Sequence, residues 1–87
     1  MRRIVLFPRA FEHFSTWPIE DKRIYRRLLT LIKDTQREPF SGIGKPEPLR
    51  NELSGYWSRR ITEEHRLVYK VTDEELIIIS CKYHYER

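Results

Sequence analysis

The apolar residues change period along the chain, and the change predicts the elements. RIVLF, residues 3–7, is a short run rich in β-formers and predicts a first strand. Pro8 ends it and suits the first turn of a helix. Ala10, Phe11, Phe14 and Trp17 then recur at helical spacing until Pro18 interrupts the pattern. A longer helix is predicted from Ile19 to Arg37, because Ile24, Leu28, Leu31 and Ile32 fall at i, i+4, i+7 and i+8 and form one stripe. Lys22, Arg23, Arg26, Arg27 and Lys33 lie outside that stripe, on the solvent side. Pro39 stops the helix. Residues 40–55, FSGIGKPEPLRNELSG, hold all three glycines and two prolines and predict a loop. A loop of that length in a small domain is more often functional than idle.

The period then falls to two. YWSRRI, RLVYKV and LIIISCKYHY predict three strands, joined as antiparallel hairpins through TEEH and TDEE. The expected fold is an α+β single domain over residues 1–87, in the order β-α-α-β-β-β. Its mostly antiparallel, twisted sheet carries two helices on one face. Alternation puts Leu67, Tyr69 and Val71 on one face of the middle strand, opposite Arg66, Val68 and Lys70. It puts Ile77, Ile79, Cys81 and Tyr83 on one face of the last strand, opposite Leu76, Ile78, Ser80, Lys82 and His84. If the purer apolar sets meet the helices, then Arg66, Lys70, Lys82 and His84 share the open face.

Composition narrows the chemistry. With 87 residues the chain buries one small core, and a domain that small commonly gains stability from a partner or a second copy. A net charge of +4 favours an anionic partner: nucleic acid, an acidic protein or an anionic membrane surface. The single cysteine, Cys81, makes no disulfide framework and no zinc spacing, and no apolar run is long enough for a signal peptide or a bilayer span. A cytoplasmic protein without metal or cofactor is the expectation.

Three groups then stand out. Glu47 lies between Pro46 and Pro48, which hold it in a stiff segment, as suits a general base; a solvated carboxylate in a rigid loop is the plainer reading. Arg59, Arg60 and Arg66 surround a hairpin turn, where guanidinium groups grip phosphate, or where a charged hairpin merely resists edge pairing with help from Glu63 and Glu64. His84 lies between two tyrosines, and an imidazole can give or take a proton near neutral pH, whereas His13 and His65 read as surface residues. An acid, a base and a cation suffice for RNA cleavage without a metal. The base takes the 2′-OH proton, the guanidinium bears the added charge, and the imidazolium protonates the leaving 5′-oxygen. A non-catalytic basic module that binds RNA and acts by occupancy is a second reading, and a structural partner that only binds another protein is a third.

The stretches DKRI, LIKDT, GKPEPL, WSRRITEEHRLVY and the terminal YHY, in this order and spacing, span most of the chain from Asp21 to Tyr85. In them the sequence resembles the Txe/YoeB family of ribosome-dependent mRNA interferase toxins, within the RelE superfamily. The resemblance implies a microbial-ribonuclease-like α+β fold, with Glu47 as general base, Arg66 on the phosphate, His84 as general acid and Tyr85 helping to hold substrate. It implies RNA-contacting roles for Lys45, Arg50, Arg59 and Arg60, and a supporting role for Glu64. It also implies cleavage of mRNA in the ribosomal A site, a homodimer, and a YefM/Phd-type antitoxin that blocks the toxin. Operator DNA is then bound only through the antitoxin complex. Familiar members end at the tyrosine matching Tyr85; here Glu86 and Arg87 follow and add a carboxylate near His84.

Overall fold

The computed structural model describes residues 1–84. Strand β1 (Arg3–Leu6) leads into helix α1 (Pro8–Glu20) and helix α2 (Lys22–Arg37). Next come a two-residue strand β2 (Glu47–Pro48), a 3-10 turn (Asn51–Leu53), and strands β3 (Trp57–Arg60), β4 (Arg66–Val71) and β5 (Glu75–Ser80). The five strands form one mixed sheet in the order β1-β5-β4-β3-β2. Both predicted hairpins are present, and β1 lies parallel to β5. The helices cover one face. Ala10 and Trp17 of α1 and Leu28, Leu31 and Ile32 of α2 are buried with Leu67, Tyr69, Leu76 and Ile78 of the sheet. The basic side chains of Arg23, Arg26 and Arg27 are exposed, as the stripe on α2 predicts. No helix among the described residues is long and apolar enough to cross a membrane.

Four details depart from expectation, each for a physical reason. Helix α1 runs through Pro18 to Glu20. So near its end a proline forfeits one intrahelical hydrogen bond, and the Trp17 carbonyl is still used, by Asp21 N–H at 2.8 Å. The helices part instead at Asp21, whose carboxylate accepts from the amides of Arg23 (3.0 Å) and Ile24 (3.2 Å) and caps α2. Phe11, at helical spacing from its neighbours, stays 60% exposed. The loop contributes a fifth strand, since Glu47 pairs with Ser58 and Pro48 with Trp57 at the sheet edge, where a missing proline N–H is tolerated.

The last strand shows the fourth departure. Val68 pairs with Ser80 but Tyr69 pairs with Ile78, so Ile79 has no partner. This bulge inverts the alternation. Leu76 and Ile78 enter the core before it and Cys81 enters after it, while Ile77 and Ile79 are half-buried. The expected face set of Ile77, Ile79 and Cys81 is therefore wrong, as is its extension to Tyr83: β5 stops at Ser80, and Tyr83 is 57% exposed with φ +61°.

Candidate active site

The open face of the sheet carries a shallow cleft of about 350 Å³. Val68, Ile79 and Ser80 line it from the sheet, and Leu53 and Tyr56 from the 3-10 turn and the residues after it. Tyr83 and His84 line it beyond β5, and Arg9, His13 and Lys82 complete the wall. The lining is basic and aromatic, and among the described residues it includes no carboxylate. A further cation, Lys70, stands 5.5 Å from the centre of the Tyr56 ring. Such a surface suits a phosphate backbone with an unstacked base beside it. Sequence reading missed Arg9, Tyr56 and Leu53 because their convergence depends on how loop and helix meet the sheet.

The register decides how the three candidate groups stand. Residues paired across antiparallel strands share a face. Glu47, Ser58, Val68 and Ser80 therefore form one row on the cleft side, and Arg60 and Arg66 form a neighbouring pair. The Arg66 amide donates to the Tyr83 carbonyl at 3.0 Å, so β4 is tied to the residue next to His84. Among the described residues the hydrogen bonds of the Arg66 side chain all run from Nη1, to the carbonyls of Thr62 (2.8 Å), Glu63 (3.0 Å) and His65 (3.2 Å). Those bonds close the β3–β4 turn and orient the guanidinium, whose other two nitrogens donate to none of the described residues. Glu47 is exposed on the edge strand, two strand spacings or about 10 Å from Val68, and does not line the cleft that His84 lines. The backbone of Arg66 thus adjoins that of His84, with Glu47 farther along the sheet. Tyr85, Glu86 and Arg87 lie outside the described residues.

The remaining candidates divide. Lys45, Arg50 and Arg60 are exposed and open to an anion, and Glu64 is exposed in the turn. Arg59 is not open to one. It is fully buried, bound through Nη1 to Asp34 at 2.7 Å and to the Ile43 carbonyl at 3.0 Å. Its Nη2 donates to the carbonyls of Glu38 (2.5 Å) and Ser41 (2.9 Å), and its Nε to Tyr69 Oη at 3.3 Å. A contact between Arg59 and RNA is excluded by that burial; the residue fastens the loop after α2 to the sheet. The Arg59 hydrogen bond, above all, holds the Asp34 carboxyl below its ordinary pKa. A Cβ on Gly42 (φ +120°) would collide with that carboxylate, so only glycine lets the loop lie across the pair.

Two histidines that read as surface residues are structural. His65 is 7% exposed, edge-on to Trp17 with ring centres 4.8 Å apart and 5.5 Å from the centre of Tyr83. Its Nδ1 accepts the Tyr83 amide at 2.7 Å, and His13 Nδ1 accepts the Cys81 amide at 3.2 Å. Burial lowers the pKa of both imidazoles; Lys82 and Arg9 lower His13 further, and Lys82 and His84 lower His65 against the pull of Glu64 and Glu20. Burial also pushes the Cys81 thiol up to about 12, far from any thiolate chemistry.

Residues 7–85 match the model of a family described as the YoeB-like toxin of bacterial type II toxin–antitoxin systems. The chain belongs to that family. It is 54% identical over 83 residues to toxin YoeB of Escherichia coli K12, covering 95% of this chain and 99% of the relative. The YoeB dimer from Staphylococcus aureus superposes with a TM-score of 0.89 at 46% identity, covering 97% of this chain and 98% of that one. The YoeB–YefM complex from the same organism superposes at 0.88 and 44%, covering 98% and 99%. These relatives share the two-helix, five-strand α+β architecture, so the YoeB-like fold expected from the sequence is the fold observed.

Proposed function

We propose that this YoeB-like toxin is a ribosome-dependent endoribonuclease that cuts mRNA in the ribosomal A site of the bacterial cytoplasm. The observation that carries the reading is the bond from the Arg66 amide to the Tyr83 carbonyl, which joins the backbone of Arg66 to the residue before His84, itself in the wall of a basic, aromatic cleft. Glu47, ionised, takes the proton of a ribose 2′-OH. The freed oxygen attacks the adjacent phosphorus and the bond to the 5′-oxygen breaks. His84, protonated, gives its proton to that leaving oxygen, and Arg66 bears the charge that builds on the phosphate. The products are a 2′,3′-cyclic phosphate and a 5′-hydroxyl, and DNA, lacking the 2′-OH, is not cut. Glu47 approaches from the edge strand and His84 from the segment beyond β5, so the RNA lies across the sheet between them. Lys45, Arg50 and Arg60 steer its phosphates, Glu64 supports the turn that holds Arg66, and Tyr85 holds substrate.

The dimer and the antitoxin complex of the relatives support a homodimer and a YefM-type antitoxin here as well. With that antitoxin the toxin represses its own operon, the antitoxin supplying contact with operator DNA. Primer extension on a translated mRNA tests the activity. Wild type gives cuts within the coding sequence, and His84→Ala lowers their rate by about 10²–10⁴-fold with the fold retained. Undiminished cutting by His84→Ala and by Glu47→Ala would sink the assignment. Translational arrest without any cut would favour a module that blocks the ribosome by occupancy.

A further inference from the structure

The segment beyond β5 has left the sheet, yet its backbone remains fully bonded at alternate residues. The Cys81 amide is accepted by His13 Nδ1 and its carbonyl by Trp17 Nε1–H at 2.8 Å. The Tyr83 amide is accepted by His65 Nδ1 and its carbonyl by the Arg66 amide. Two imidazoles, an indole and one backbone amide thus stand where a neighbouring strand would be. Lys82 between them reaches Glu20 of α1 at 2.6 Å and lies 4.9 Å from the centre of the Trp17 ring. Tyr83 is held with φ +61°, a conformation that costs a tyrosine free energy and persists only where its surroundings impose it.

An imidazole nitrogen accepts a hydrogen bond only when it carries no proton. Both histidines must therefore be neutral, with the proton on Nε2, for this arrangement to stand. His65 is faced by Glu64 from its own turn, by Lys82 and His84 from the terminal segment and by Glu20 from α1. His13 is faced by Arg9, Glu12 and Glu20 from its own helix and by Lys82. Burial first, and then the cations facing each ring, oppose protonation of both against the pull of the carboxylates, in the direction the geometry requires.

We infer that His65, with His13 behind it, is a positioning residue: the two unprotonated Nδ1 atoms hold the amides of Tyr83 and Cys81 and so fix the backbone from which His84 enters the cleft. The inference rests on the reading of His84 as general acid, and its test separates the two. His65→Phe keeps a ring against Trp17 and removes the acceptor; His65→Asn removes the ring and returns an acceptor oxygen near the place of Nδ1. In the full chain, amide hydrogen exchange at Cys81 and Tyr83 quickens about tenfold in His65→Phe, while the Tyr69 amide in the sheet is unchanged. Single-turnover cleavage on saturating translating ribosomes falls by a similar factor, the half-saturating ribosome concentration stays the same, and His65→Asn recovers most of the loss.

Unchanged exchange at Cys81 and Tyr83 overturns the inference. So does faster exchange with undiminished cleavage, which would make the imidazoles structural only. If His65→Phe fails to fold, His13→Phe, at the more exposed of the two bonds, carries the same pair of measurements. His84→Ala is measured in parallel. Full cleavage by that variant removes the acid role of His84, and the exchange data then still decide whether the imidazoles hold the segment.

Discussion

Two ion pairs of nearly equal length fasten two parts of this molecule, and they do different work. Arg59 meets Asp34 at 2.7 Å, with the arginine side chain fully buried. Lys82 meets Glu20 at 2.6 Å, with the glutamate side chain 44% exposed. The first is backed by three loop carbonyls and by Tyr69, so a permanent charge secures the loop after α2. The second lies in water's reach, and the segment it touches depends on neutral imidazoles and an indole. Length alone says little about an ion pair; burial and the bonds around it decide its weight. The loop after α2 has the anchor that holds until Asp34 protonates, and the segment that carries His84 has the one held by neutral imidazoles.

The contrast breaks most visibly at Asp34. Asp34→Ala leaves a buried guanidinium without its counter-charge and is expected to cost roughly 3–5 kcal/mol, a large part of the stability of a domain this size. Urea unfolding measures it, and a loss below 1 kcal/mol would remove the distinction. Acid should act on the other region. Both histidines have folded-state pKa values lowered below their ordinary 6.5. The unfolded chain then binds protons first, so their contribution to stability is complete above about pH 6.5 and is lost as pH falls through the lowered folded values. Amide exchange corrected for its intrinsic pH dependence should show residues 81–83 loosening below pH 6.5, while residues 38–44 stay protected until Asp34 protonates far lower. Simultaneous loosening of both would contradict the sign worked out here. The smallest effect belongs to the exposed pair: Glu20→Gln should cost under about 1 kcal/mol and less at high salt. A cost as large as that of Asp34→Ala would show that burial is not what separates them.

Much of the fold was legible because the apolar period is clean. The stripe of Leu28, Leu31 and Ile32 and the alternation of Leu67 and Tyr69 each locate a buried face. Ile79 hid the phase of the last strand, since one unpaired residue exchanges inside for outside and leaves no mark in a run of isoleucines. Glu47 and Pro48 read as loop because a two-residue strand has no period. At the site, Arg66 and His84 were visible as types, and a backbone bond from Arg66 to Tyr83 ties their segments together. Arg59 carried a usable signal: it shares its phase with Trp57 on the helix-facing side, and Asp34 adjoins the buried positions Leu31 and Thr35 of α2. His65 carried none. A histidine in a TEEH turn looks solvated, and its burial arises from Trp17 and Tyr83, each far away in sequence.

The parallel pairing of β1 with β5 has a consequence for the order of synthesis. Arg3 pairs with Glu75, so the first strand made finds no partner until the last has emerged. Until then β1 and β4 are both open edges, and the segment that bears His84 does not yet exist. A chain cut short before Glu75 is therefore a candidate for aggregation and degradation rather than a weakened toxin. Translation stopped part-way through this gene then leaves no folded toxin.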